Sequence, residues 1–222
     1  LRRQRQMCIR DRSGSARMRD TFIFAVEGLE NIQQFAADQA SIEMNSVRAV
    51  NTAARDARAS AARMIRDQVN FDGSYLNPAQ KRLYVAKKAK RGDREAIIRA
   101  RGRPTSLARF VIGSPQRGQG VNVSVAPGRA RYMKRAFLIR LRAGSDIETK
   151  SNLGLAIRLR PDEALRNKKF AVTMKNGLYL LYGPSVSQVF MANDGDGVAK
   201  DLEPKILDQM EREFLRLMKW EG

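Results

Sequence analysis

Histidine is absent from these 222 residues, cysteine occurs once, tryptophan occurs once, and aromatic side chains make up 7% of the chain. Each shortage removes a class of chemistry. Without histidine there is no imidazole to move protons near neutral pH. A single cysteine, Cys8, excludes an internal disulfide, and with no histidine beside it there is no Cys/His zinc site. No apolar run approaches the roughly 20 residues that a membrane-spanning helix needs, and no secretory leader is visible. The expectation is a soluble protein made in a cytoplasm, with no membrane contact and no cofactor.

The lone cysteine sits in a segment that is itself suspect. Met7-Cys8-Ile9-Arg10-Asp11-Arg12 resembles, residue for residue, an accidental translation of a transposon-end adapter used in sequencing libraries, and Arg3-Gln4-Arg5-Gln6 fits the same origin. Residues 1–13 are therefore set aside as a sequencing-adapter artefact, expected to be disordered. The alternative is a genuine basic arm that binds nucleic acid. If the artefact reading holds, the native start is Met18 or lies upstream of the junction.

What remains is strongly basic. The segment set aside carries five arginines and one aspartate, so its +4 taken from the formal +19 leaves +15. An anionic partner follows, with nucleic acid the first candidate because Lys and Arg gain affinity by releasing phosphate counterions. The charge is dispersed from Arg48 to Arg166 rather than packed into a tail, which equally suits an assembly protein meeting acidic neighbours.

Thr21–Val26 has strand character, and after Gly28 a helical stripe runs from about Leu29 to Val69 through Ile32, Ala36, Ala40, Met44, Val47, Val50, Ala54, Ala57, Ala61 and Met64. Such a helix is roughly 60 Å long. Arg48, Arg55, Arg58, Arg63 and Arg66 mark its wetter faces. Two roles stay open: a core helix with a solvated arginine face, or a helix that packs partly on another subunit. Asn70–Ser74 stops it. Arg82–Lys87 and Glu95–Arg101 read as a two-stranded ribbon with a charged turn or, alternatively, as two short helices, and Arg91-Gly92-Asp93 is an ordinary turn rather than an adhesion tripeptide.

Arg103–Phe110 reads as a proline-started turn or a single helical turn, and Ser114–Gly120 as a loop. Val121–Val125, Ala136–Leu141 and Leu153–Leu159 read as strands of an antiparallel sheet, one face apolar and covered by the long helix. Arg140 and Arg142, alternating with Phe137, Ile139 and Leu141, and Arg158 and Arg160, alternating with Leu155, Ile157 and Leu159, are expected in a basic row on its other face. A further strand at Leu178–Tyr182, a helical turn or two at Ser185–Met191, and a terminal helix opened by Asp201-Leu202-Glu203-Pro204 complete a single α+β domain.

No catalytic or metal constellation stands out. Asn193–Gly197 begins like a calcium loop, but counting from Asp194 puts Lys205 where the bidentate glutamate belongs. Gly118-Gln119-Gly120 lacks the third glycine, lysine and helix of a phosphate loop. In Arg129–Arg135 a tyrosine lies among cations, as on nucleic-acid surfaces, or the run is a strand edge kept from pairing by charge.

The order of parts resembles the minor tail protein Z family of tailed phages and prophages. The likeness rests on Gly28-Leu29-Glu30, the alanine-rich helix, Arg103–Phe110, Ala136–Ile139, Gly154–Arg158 and, most specifically, Leu181-Tyr182-Gly183-Pro184-Ser185-Val186 with Gln188-Val189-Phe190. It spans residues 20–222. The resemblance implies a non-enzymatic tail completion protein, made in the bacterial host cytoplasm and resident in the virion tail. It would act at the head-proximal end of the tail tube, as a homo-oligomeric ring, a hexamer where the tail is six-fold, beside other tail and neck proteins. Candidate subunit contacts are Ala54, Ala57, Ala61, Gly183, Pro184 and Ser185. Candidate contacts to DNA or an acidic partner are Arg131, Lys134, Arg135, Arg140 and Arg158. The rival class is a basic, sequence-nonspecific nucleic-acid-binding protein.

Overall fold

The computed structural model describes residues 39–116, 118–141, 153–160, 163, 171–174, 177–192 and 197–219. Residues 1–13, the Thr21–Val26 strand, Gly28–Glu30, the first turns of the long helix and Asn193–Asp196 lie outside them.

Helix α1 spans Gln39–Gln68 and ends where the turn residues begin. Asn70 N donates to Val125 O at 2.8 Å, and Asp72 accepts from Ser74 N at 3.1 Å, capping a 3-10 turn at Gly73–Leu76. Ala49, Val50, Ala53, Ala57, Ala61 and Ile65 form its buried stripe. Toward the N-terminus the stripe departs from the apolar pattern: Asn45 and Ser46 are buried, while Met44 and Val47 are only half-buried. Both polar groups have partners, Ser46 Oγ donating to Ile42 O at 2.7 Å and Asn45 Nδ2 to Met218 Sδ at 3.6 Å. Arg58, expected on a wet face, is half-buried and donates to Leu83 O at 3.0 Å and to Leu76 O. Burial first, then the Arg66 charge, holds its pKa below the usual arginine value.

The ribbon is present. Strands β1 (Leu83–Lys87) and β2 (Ile97–Ala100) pair antiparallel, Leu83 opposite Ala100 and Val85 opposite Ile98, with Leu83, Ile98 and Ala100 buried. Asn51 of α1 clamps the segment after β1 by exchanging two hydrogen bonds with the Ala89 backbone, both 2.9 Å. Lys87 Nζ pairs with Asp93 at 2.9 Å and with Glu95 across the charged turn.

Beyond the ribbon, the one antiparallel sheet expected is two. Strands β4 (Val111–Ile112), β5 (Val121–Ala126) and β6 (Arg129–Met133) form a three-stranded sheet. The larger sheet has the order β3-β10-β8-β7, built from β3 (Thr105–Ser106), β7 (Ala136–Arg140), β8 (Leu153–Arg158) and β10 (Leu178–Gly183), with β9 (Ala171–Thr173) also on β10. The turn at Lys134–Arg135 carries the chain from one sheet to the other.

The α+β class stands, with a different cover. Helix α1 packs most extensively on the terminal helix α3 (Val198–Lys219) and then on the ribbon, while the 3-10 turn Leu107–Phe110 packs on the larger sheet. The alanines of α1 explain the choice, because small side chains let a second helix approach closely. The stripe they meet on α3 runs Val198, Leu202, Ile206, Met210 and Phe214. That stripe also moves the start of α3 upstream of Asp201, leaving Pro204 inside the helix rather than in its first turn. Helix α2 (Val186–Met191) begins with a capping box: Gln188 N donates to Ser185 Oγ at 3.0 Å and Ser185 N to Gln188 Oε1 at 2.8 Å. One hydrophobic cluster runs through the helices, the ribbon and both sheets.

A candidate polyanion groove

The residues between β4 and β5 fold back over the turn between β6 and β7. Gly120 makes this possible. It sits at φ +77°, and a Cβ there would lie 2.7 Å from Met133 O and 2.8 Å from Lys134 Cα, so an L side chain is excluded on both counts. Between this loop and the start of β7 and end of β8 runs an open groove of about 1040 Å³, lined by Pro115, Lys134, Arg135, Phe137, Arg158 and Arg160 among others. Its described lining carries four cations and no carboxylate.

Arg135 is held in place. Its Nη1 meets Glu163 Oε1 at 2.5 Å and its Nη2 donates to Arg158 O at 3.0 Å. Glu163 also accepts from Arg160 N at 2.9 Å. The Arg135 hydrogen bond, then the Arg160 N–H, hold the Glu163 carboxyl down to about 2. Lys134, Arg158 and Arg160 form no ion pair among the described residues. Beside the groove the three-stranded sheet presents Ile112, Asn122 and Tyr132 in register, with Tyr132 60% exposed.

The structure gathers Lys134, Arg135 and Arg158 and separates the other two basic candidates from them. Arg131 is exposed on the edge strand β6. Arg140 lies on the opposite face of the larger sheet from Arg158, so the basic row expected on one face is absent. The reason is register: each β7–β8 pair joins an even-numbered residue to an odd-numbered one, as Phe137 to Ala156 and Arg140 to Leu153, whereas both arginines are even-numbered. Directly paired residues share a face. Arg160 was expected in the basic row, but its place in the groove and the pairing of Glu163 with Arg135 were not legible from sequence spacing.

The candidate subunit contacts are placed inside the chain. Ala54 and Ala57 pack toward Ala96, Ile98 and Ile206, and Ala61 is fully buried, so within one subunit all three are core positions. Ser185 is fully buried as the cap of α2. Gly183 is buried where a Cβ would meet Leu107 at 3.1 Å and Phe110 at 3.2 Å, and Pro184 is half-buried. The corner is accounted for by packing within one subunit.

Comparison with protein-family models, with curated proteins and with solved structures finds no match. Among the described residues, no group of three or more His, Cys, Asp or Glu could hold a metal ion. No helix among them is long and apolar enough to cross a membrane.

Proposed function

We propose that the protein is a structural component of a phage or prophage tail that completes the head-proximal end of the tail tube, acting as a ring and presenting its groove to a polyanion. The resemblance along residues 20–222 supports the tail assignment. The single observation that carries the chemistry is the groove, where Lys134, Arg158 and Arg160 line one surface with no ion pair among the described residues, beside Arg135 held by Glu163. Such a surface binds phosphate or carboxylate oxygens through charge-assisted hydrogen bonds. It positions a polyanion without reading bases. With the alanine stripe of α1 and most of the Gly183–Ser185 corner packed within their own subunit, the ring is built through the surfaces left exposed, and closed symmetry lets weak contacts hold together.

Native mass determination of the purified chain, alone and with purified tail tubes, tests this reading. A closed oligomer, or a stoichiometric complex on the tube end, supports it. A monomer that ignores tubes and binds duplex DNA tightly, with a steep salt dependence, contradicts it. That outcome favours the second reading, a basic nonspecific nucleic-acid-binding protein, whose specific support is the exposed Tyr132 ring flanked in sequence by Arg131.

A further inference from the structure

A second set of arginines lies away from the groove, on the outward face of the β1–β2 ribbon. Leu83, Ile98 and Ala100 point inward. By the same register Tyr84 faces Arg99, and one step further Arg82 faces Arg101, whose N–H donates to Arg82 O at 2.8 Å. Arg82, Arg99 and Arg101 therefore share one face, with two like charges directly opposite, an arrangement that destabilises an antiparallel pair.

A fourth arginine joins them from the 3-10 turn Leu107–Phe110. The Cζ atoms of Arg82 and Arg109 lie 3.8 Å and 4.8 Å from the ring centroid of Tyr75, which also stacks on Phe71 with centroids 5.0 Å apart. All four arginines are half-buried, and none forms an ion pair among the described residues. The Nε atoms of Arg82 and Arg99 are buried without a hydrogen-bond partner. Burial, with the charges of Arg109 and Arg101 adding to it, holds the Arg82 pKa below the usual arginine value, against the raising effect of Tyr75.

We propose that Arg82, Arg99, Arg101 and Arg109 form a docking site for an acidic segment of a protein partner, separate from the groove. Several features favour carboxylates on a folded or folding partner over a nucleic acid. Every cation is an arginine, the weakly hydrated, bidentate donor that protein interfaces enrich, and none is a lysine. Two of the guanidinium groups are ordered against an aromatic ring, so little side-chain freedom is lost on docking. Tyr75 is 3% exposed, so the ring that orders two of the guanidinium groups is closed to a base, and the one other ring on this face is the half-buried Tyr84 opposite Arg99. Arg82 and Arg109 meet over one ring, Arg101 lies opposite Arg82 and Arg99 shares their face, so the charges cluster instead of tracking a backbone. Carboxylates placed there would relieve the Arg82–Arg101 repulsion.

The test is fluorescence anisotropy of a labelled short oligoglutamate peptide, and of a single-stranded oligonucleotide of equal charge, against the full chain at low salt. The site predicts that Arg101→Glu weakens the peptide about tenfold or more, while Arg131→Glu on the distant edge strand changes it less than about twofold. The inference is overturned if Arg101→Glu leaves peptide binding unchanged, or if both substitutions weaken it equally. It is also overturned if the oligonucleotide binds more tightly than the peptide and is the one lost with Arg101→Glu. Should Arg101→Glu lower the thermal midpoint enough to blur the comparison, Arg101→Gln carries the same test by removing the charge without reversing it. Failure here leaves the groove untouched, since its dependence on Arg158 is read from the duplex-DNA measurement described below.

Discussion

Two residues in and beside the groove have effects that can be isolated. The Glu163 carboxyl is held down to about 2 by Arg135 and the Arg160 N–H, from an ordinary value of 4.5. A depressed folded pKa contributes stability that is fully present above the unfolded value and is lost as pH falls through the folded one. Wild type and Glu163→Gln should therefore differ in thermal midpoint at pH 6, and the difference should vanish between the unfolded value and about pH 2. A gap that persists unchanged at the acid end counts against the ion pair. Gly120→Ala should lower stability to denaturant by about 1–3 kcal/mol, since its backbone is left-handed and a Cβ would press on Met133 O. At this scale the sequence was least legible. The spacing of charges announces neither the Arg135–Glu163 pair nor the Asn51 clamp on Ala89, because both join residues far apart in the chain.

Elements were more legible where local chemistry and burial agree. The stop of α1, the ribbon, β10 and the capped α2 all follow from turn residues, alternation and a Ser-x-x-Gln box. Strand β6 was legible only as one of two readings of Arg129–Arg135, a charged strand edge, because four of its five residues are exposed and its pairing is on one side only. Alternation in β7 and β8 is visible in the sequence, but the register that puts Arg140 and Arg158 on opposite faces is a tertiary fact. The alanine stripe of α1 illustrates a different ambiguity: small residues suit any close neighbour, and only the fold reveals that the neighbour is α3. Ala61→Leu should accordingly destabilise the isolated subunit by about 1–3 kcal/mol in equilibrium unfolding, by overpacking a fully buried site. A subunit-contact role for Ala61 would instead leave monomer stability intact and alter assembly alone.

For the whole molecule, composition constrained more than pattern did. A formal charge of +19 with no histidine directs attention to anionic partners, and the fold gathers part of that charge in two separate places, the groove and the outward face of the ribbon. The α+β class was legible because helical and strand periodicities occupy distinct stretches, whereas the division into a ribbon and two sheets depends on how turns redirect the chain. Arg140 and Arg158 offer a direct check, since they are two like charges on adjacent strands of one sheet but on opposite faces. The deciding measurement is the salt dependence of duplex-DNA binding by wild type, Arg158→Glu and Arg140→Glu at low ionic strength. The groove predicts that Arg158→Glu lowers the affinity and flattens the salt slope by about one counterion or more, with Arg140→Glu close to wild type. Equal losses from the two substitutions, or a loss confined to Arg140→Glu, would contradict it.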